Sequence, residues 1–316
     1  MRTQIFRNWL NKISELTPSQ RQQTTERLHC VFGAESIASI TEGIVPICPH
    51  CHNTPCGRWG NAHGLPRYRC KNCGKTFNAL TKTPLAHLRH REVWQECADA
   101  MIAGDSVRKT AVRCKVDKNT IFRWRHRFLK MLALDKPSCL HGIVEADETY
   151  FLESFKGSRH LPRSPRKRGG KATKRGLSAE QIPVLIARDR AQTTTDAVLC
   201  RASTQALYTV LEPILDRDVV ICSDSSPIYA ALAKKLHIAH KPVNINAGIR
   251  VTNHAYHIQN VNAYGSRLKA WMVHFHGVAT KYLPNYLGWR CCLERFSTQL
   301  TSSRFLIQAI GQVVNT

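Results

Sequence analysis

Two Cys-x-x-Cys pairs, Cys48-Pro-His-Cys51 and Cys70-Lys-Asn-Cys73, lie eighteen residues apart. A turn of this kind aims two sulfurs at one point, and two such turns at this spacing match a four-thiolate zinc site. Gly74 follows the second pair and permits the tight backbone turn it requires. The surrounding stretch is rich in Cys, His, Gly and Asn, so the metal would supply much of what a core cannot. We therefore expect a zinc ribbon over residues 46–84, with Cys48, Cys51, Cys70 and Cys73 as ligands of a structural Zn²⁺. Four thiolates leave no open position for catalysis. Cys56, His50, His52 and His63 are nearby competitors.

The chain has 13 cysteines, an odd number, and the N-terminus "MRTQIFRNWLNKISELTPSQ" lacks the apolar core of an export signal. Reduced thiols or metal ligation fit better than a disulfide framework. Cys97, Cys114, Cys139, Cys200, Cys222, Cys291 and Cys292 sit among apolar residues and read as small hydrophobes. With 46 Lys and Arg against 22 Asp and Glu, the formal charge over 316 residues is +24. Such a field favours nucleic acid first and an anionic membrane second. No run of about 18 apolar residues is present, so a cytoplasmic, nucleoid-associated protein without a membrane partner is expected.

Four regions separate by composition. Residues 1–45 read as short amphipathic helices, 46–84 as the ribbon, 85–137 as helical and 140–316 as α/β. In the third, "GDSVRKTAVRCKVDKNTIFRWRHRFLKML" predicts a short helix from about Ser106, a turn near Val116 and Asp117, and a helix from about Lys118 to Lys130. Ile121, Trp124 and Phe128 would face inward. Lys118, Asn119, Arg123, Arg127 and Lys130 would face out, the layout of a helix-turn-helix whose second helix reads DNA. Pro137 marks the following linker.

From Gly142 onward, three strand-like runs, a helix, a strand and a helix predict an α/β sheet with helices packed on it. "VEADETYF" puts Asp147 at the end of an apolar strand, with Glu145 on the same side and Glu148 on the other. "VVICSDSSPIY" ends a second buried strand at Asp224. Two such acids at one sheet edge can share a pair of Mg²⁺ or Mn²⁺ ions about 4 Å apart and drive in-line attack on a phosphodiester. Between the two motifs, residues 156–175 carry nine Lys or Arg and no acid. This reads as a mobile surface loop offering Arg166, Lys167, Arg168 and Lys171 to DNA. "HIQNVNAYGSRLKAW" predicts a helix whose Asn262 and Lys269, seven residues apart, lie about two turns from each other.

In combination, "CPHC…CKNCGKTF", the helix pair, "VEADETYF", "CSDSSPIY" and "HIQNVNAYGSRLK" resemble the transposases of the IS1595 group over roughly residues 45–300. The resemblance implies an ISXO2-like DDE domain on a ribonuclease H-like fold, preceded by a zinc ribbon and a helix-turn-helix. It implies an enzyme that binds the terminal repeats of its insertion sequence, cuts there and joins the 3′-hydroxyls to target DNA, acting as a homo-oligomer on DNA. In many members the last motif reads His, four residues, Glu, then Lys seven further on. Here Asn262 holds the Glu position and Lys269 the Lys position. Asp147, Asp224 and Asn262 would then be the catalytic metal ligands, with Lys269 on a DNA phosphate. Some branches use Asn there. Glu294 is a possible substitute acid, and the competing outcome is an inert DNA-binding regulator or decayed copy.

Overall fold

The computed structural model describes residues 3–21, 23–24, 47–167, 169–174, 178–244 and 247–311. Nearly half of the N-terminal region read as helical, residues 25–45, lies outside them. The chain divides into two units, Met1–Met131 with Gln299–Thr316, and Leu132–Thr298.

In the first unit, α1 (Thr3–Asn11) is amphipathic and buries no residue. Three antiparallel strands follow in the order β1 (Cys56–Ala62), β2 (Leu65–Cys70) and β3 (Thr76–Phe77). Then come α2 (Trp94–Ile102), α3 (Val107–Arg113) and α4 (Lys118–Leu132). Ser106 caps α3 by accepting the Lys109 N–H, and Asp117 Oδ1 accepts the Asn119 N–H at the start of α4. Ile121, Trp124 and Phe128 are buried, and Trp94 meets Phe128 edge-on at 5.9 Å. Within this unit α9 (Ser302–Ile310) packs on α2, so residues 299–311 join these helices rather than the α/β unit.

The second unit is a five-stranded mixed sheet. Its strands are β4 (Ile143–Leu152), β5 (Gln181–Asp189), β6 (Thr194–Val198), β7 (Val220–Asp224) and β8 (Ala239–Val243), in the order β6-β5-β4-β7-β8. β5 runs antiparallel to β4 and β6, whereas β4, β7 and β8 are mutually parallel. Val144, Ala146, Leu185, Ala187 and Ile221 bury one face with α5 (Thr204–Leu211) and α6 (Pro227–Leu236). On the other face α7 (Gln259–Val273) packs against β4 and β5, and α8 (Leu283–Phe296) against β6.

The fifth strand was not legible in the sequence. "AHKPV" carries Lys, His and Pro, and only Val243 is fully buried, as befits an edge strand. Of the cysteines read as hydrophobes, Cys97, Cys114, Cys222, Cys291 and Cys292 are buried, but Cys200 is exposed and Cys139 half-buried.

Candidate active site and metal centre

Asp147 lies inside β4 rather than at its end. Thr149, Tyr150 and Phe151 are good strand formers, and they extend the pairing with β5 to Leu152. On the other side β7 stops at Asp224. The parallel register sets Ile143 against Val220 and Glu145 against Cys222. Continued two residues, it brings Asp147 level with Asp224, on adjacent strands about 4.8 Å apart. Both side chains therefore leave the same face, where the sheet loses one of its two neighbours.

The two carboxylates feel each other. Burial pushes Asp147 up to about 6; the Glu148 N–H opposes this, Asp224 adds to it and Lys269 opposes it. Glu148 points to the opposite face, where the Tyr229 hydroxyl donates to Oε1 at 2.7 Å. Burial raises it to about 7, the Tyr229 bond opposes this, and Asp147 and Asp224 reinforce it. Partly buried, mutually repelling oxygen donors fit a hard divalent cation. An acid whose folded pKa exceeds its unfolded value near 4 holds its proton better in the fold, so the metal-free protein loses stability as pH rises from about 4 to about 7. Mg²⁺ or Mn²⁺ binds the ionised form, so either should raise the melting temperature more at about pH 8 than at about pH 5.5. Equal shifts at both pH values would count against a metal held by these acids.

α7 crosses this row of residues. Ile186 pairs with Asp147, and Gly265 of α7 sits over it: a Cβ built there would lie 3.6 Å from Ile186 Cδ1. Val261, Tyr264, Gly265 and Leu268 form the buried face of α7, while Asn262 and Lys269 are exposed a turn to either side of Gly265. Lys269 reaches Asp147 electrostatically.

What fixes α7 is Glu145, which is fully buried. Its Oε2 accepts the N–H groups of Asn260 and Val261 at 2.8 and 3.0 Å. Its Oε1 accepts Asn260 Nδ2 at 2.9 Å and pairs with Arg190. Arg190 also reaches Ala255 O at 2.8 Å and the His257 ring. One carboxylate two residues before Asp147 thus anchors the helix bearing Asn262 and Lys269, at the helix end where negative charge is favoured. Glu145→Ala takes from Arg190 its carboxylate partner and leaves the first N–H groups of α7 without their acceptor. We expect a loss of about 3–5 kcal/mol by denaturant unfolding; a loss below about 1 kcal/mol would contradict this anchoring role.

His257 accepts the Gln259 N–H at 3.3 Å and serves as a local cap. Glu294 is ruled out as a substitute acid by its partners: Arg188, Arg267 and Arg290 bind it at 2.7, 2.6 and 3.0 Å. A further buried group escaped the sequence reading. Asp196 pairs with Lys136 at 2.5 Å and lies 3.2 Å from both the Tyr264 hydroxyl and Cys291 Sγ.

In the first unit the four sequence-selected thiols converge. Cys48 Sγ lies 3.6 Å from Cys73 Sγ, and Cys51 Sγ lies 3.6 Å from Cys70 Sγ. A tetrahedral zinc with Zn–S bonds of about 2.3 Å sets its sulfurs about 3.8 Å apart. The N–H groups of His50 and Cys73 donate to Cys48 and Cys70 at 3.4 and 3.5 Å, and the Cys73 N–H lowers the Cys70 pKa. These bonds favour thiolates. Cys56 turns to Asn53 O and stands outside the four.

The cations read as a DNA surface divide. Lys118, Asn119, Arg123 and Lys130 are exposed on α4. Arg127 is not available, because its guanidinium donates to Pro84 O and, at 2.7 Å, to Ala86 O, holding that segment down. Unremarked in the sequence, Arg125 is buried and donates to Asp105 O at 2.6 Å, tying α4 to the start of α3.

The basic stretch between β4 and β5 is held by hydrogen bonds at Lys156 and Arg166. Lys156 Nζ reaches the carbonyls of Phe275, His276 and Gly277 at 3.4, 3.1 and 2.8 Å. Arg166 is consumed by Glu153 O at 2.6 Å and Glu180 at 3.0 Å. Lys167 and Lys171 remain exposed, and Arg168 lies outside the described residues.

Residues 139–289 match the ISXO2-like transposase domain family, just under half of the chain. A protein of Halobacterium salinarum, described as an uncharacterized protein in transposable element ISH50, is 27% identical over 246 residues, covering 76% of this chain and 82% of that one. Among solved structures, the simian T-cell lymphotropic virus intasome in complex with PP2A regulatory subunit B56 gamma matches at 13% identity and TM-score 0.32, over 53% of this chain and about half (52%) of that one. The Mos1 strand transfer complex matches at 14% identity and TM-score 0.28, over 68% and 73%. Likeness this distant carries no weight for the site. The mixed α/β unit with its paired aspartates is thus the part of the chain that is similar to an ISXO2-like transposase domain. Among the described residues no helix is long and apolar enough to cross a membrane.

Proposed function

We propose that this chain is the DNA transposase of an insertion sequence, binding the element's terminal repeats and carrying out metal-dependent strand cleavage and strand transfer. The observation that carries this is the shared row of Asp147 and Asp224, overlaid by the helix that presents Asn262 and Lys269. The strand order, with the second strand antiparallel and the fourth and fifth parallel to the first, is that of a ribonuclease H-like fold. Asp147 and Asp224 would hold Mg²⁺ or Mn²⁺, Asn262 would add a carbonyl oxygen, and Lys269 would grip a phosphate. Bound divalent ions supply activation of the attacking oxygen and stabilisation of the leaving one.

Asn262 contributes no charge, so two carboxylates face four positive charges and the scissile phosphate supplies part of the balance. Metal affinity should therefore rise when DNA binds. The four-thiolate site would be a structural zinc ribbon over residues 46–84. Helices α3 and α4 would act as a helix-turn-helix within 85–137, with Lys118, Asn119, Arg123 and Lys130 toward DNA. Lys167 and Lys171 would add phosphate contacts beside the catalytic domain, and pairing two ends would require at least two protomers.

The test incubates the protein with a duplex carrying the repeats that flank its own coding sequence, plus Mg²⁺ or Mn²⁺. Wild type should nick at the element end, and Asn262→Ala should slow nicking by about 10²-fold or more at limiting metal, partly recovered at high metal. Specific binding without nicking by wild type would instead support the inert DNA-binding reading. Unchanged nicking in Asn262→Ala would remove the amide from the site.

A further inference from the structure

Beside the aspartate row, the second unit holds a cleft of about 610 Å³ between the end of β4, the pinned basic segment and the C-terminal half of α7. Tyr150, Phe155, Met272 and Leu283 supply apolar and aromatic wall, while Lys167 and Lys269 bring cations to it. The wall is built, not incidental. The Thr280 N–H donates to Ser154 O and the Ser154 N–H to Thr280 Oγ1, both at 2.9 Å, and the Lys156 ammonium seals the same junction. The Arg163 guanidinium lies over the Phe155 ring at 5.4 Å, a cation-aromatic tier of the kind on which bases stack.

Two features tie this cleft to the reacting phosphate. Lys269 lines it and stands one turn along α7 from Gly265, which sits over Ile186, the strand partner of Asp147. Tyr150, another lining residue, lies three residues beyond Asp147 on the same strand. A strand whose scissile phosphate sits at the aspartates therefore passes the mouth of the cleft. The volume falls in the range that encloses a small ligand, about 300–1,000 Å³, and is too small for a duplex.

Building on the transposase reading, we propose that this cleft receives one unstacked nucleotide of the DNA strand adjoining the cut. The base would lie against the Phe155 and Arg163 tier, with Lys167 and Lys269 on the flanking phosphates. Extruding a base costs a few kcal/mol, least where the duplex already ends or is nicked, so the cleft would also favour termini over interior DNA.

The experiment places 2-aminopurine singly at each position flanking the cut in the flanking-repeat duplex and reads its fluorescence on adding protein with Ca²⁺ in place of Mg²⁺. We expect a several-fold rise at one position with wild type and its loss in Phe155→Ala. That variant should cut the intact duplex about 10-fold or more slowly, with the gap narrowed on a duplex abasic at that position. Lys167→Ala, an exposed change with little folding risk, should blunt the same rise. Cutting by wild type with unmoved fluorescence at every position overturns the inference and leaves the transposase reading standing. An equal defect of Phe155→Ala on intact and abasic duplexes also overturns it. Failure of wild type to cut the unmodified duplex overturns the transposase reading and this inference with it.

Discussion

Asp224→Ala and Asp147→Ala should each lower strand cleavage by at least about 10³-fold while leaving affinity for the end duplex within about threefold of wild type. The two acids stand level on adjacent parallel strands, so removing either halves the carboxylate charge available to the cations. Neither residue supports the helices that would read DNA, which belong to the other unit. Removing Asp147 relieves a carboxyl whose burial already pushes it up to about 6. The metal-free variant should therefore be at least as stable as wild type at neutral pH, and thermal melting beside the cleavage assay separates lost chemistry from lost fold. Cleavage within tenfold of wild type in both variants would show that the row is not the catalytic site.

The second large effect should follow removal of the metal expected at the four thiols. Purified protein should carry one zinc per chain, and Cys70→Ser or a strong chelator should release it. Residues 47–77 have few apolar side chains to fall back on: beside the cluster of Cys48, Cys70 and Phe77, the buried hydrophobic residue of the strands is Leu65. Structural zinc in such small modules contributes on the order of 10 kcal/mol, so this segment should unfold and become protease-sensitive. Loss of zinc by mass spectrometry with unchanged proteolysis would mean that the three strands stand without it, and absence of zinc from the untreated protein would remove the site.

Much of this was readable before any coordinates, and the reasons differ by element. Cys-x-x-Cys spacing and strand-terminal acids are short-range signals, and the four thiols, Asp147 and Asp224 came together as expected. Composition could not tell which cations have partners. Arg127 and Arg166 look like their exposed neighbours, yet both are spent on backbone carbonyls, because that choice depends on segments up to 43 residues away. Glu145 shows the same limit. Alternation put it on the catalytic side, but its grip on the first turn of α7, 115 residues further on, is a tertiary fact. Glu294 failed as a spare acid for that reason also, its three arginines coming from β5, α7 and α8. Asp147 was misplaced to a strand end because the acids around it masked the β-forming run from Thr149 to Phe151.

If the paired aspartates on this sheet transfer DNA strands, joining reports it more directly than binding or nicking. A duplex ending at the element's 3′-hydroxyl would be incubated with wild-type protein, a supercoiled plasmid and Mg²⁺, and the plasmid examined for covalently attached end DNA. Joined products should form, require the divalent ion and vanish in Asp224→Ala. Specific binding of the duplex by a folded, zinc-loaded protein with no joined product in Mg²⁺ or Mn²⁺ would contradict strand transfer by these aspartates.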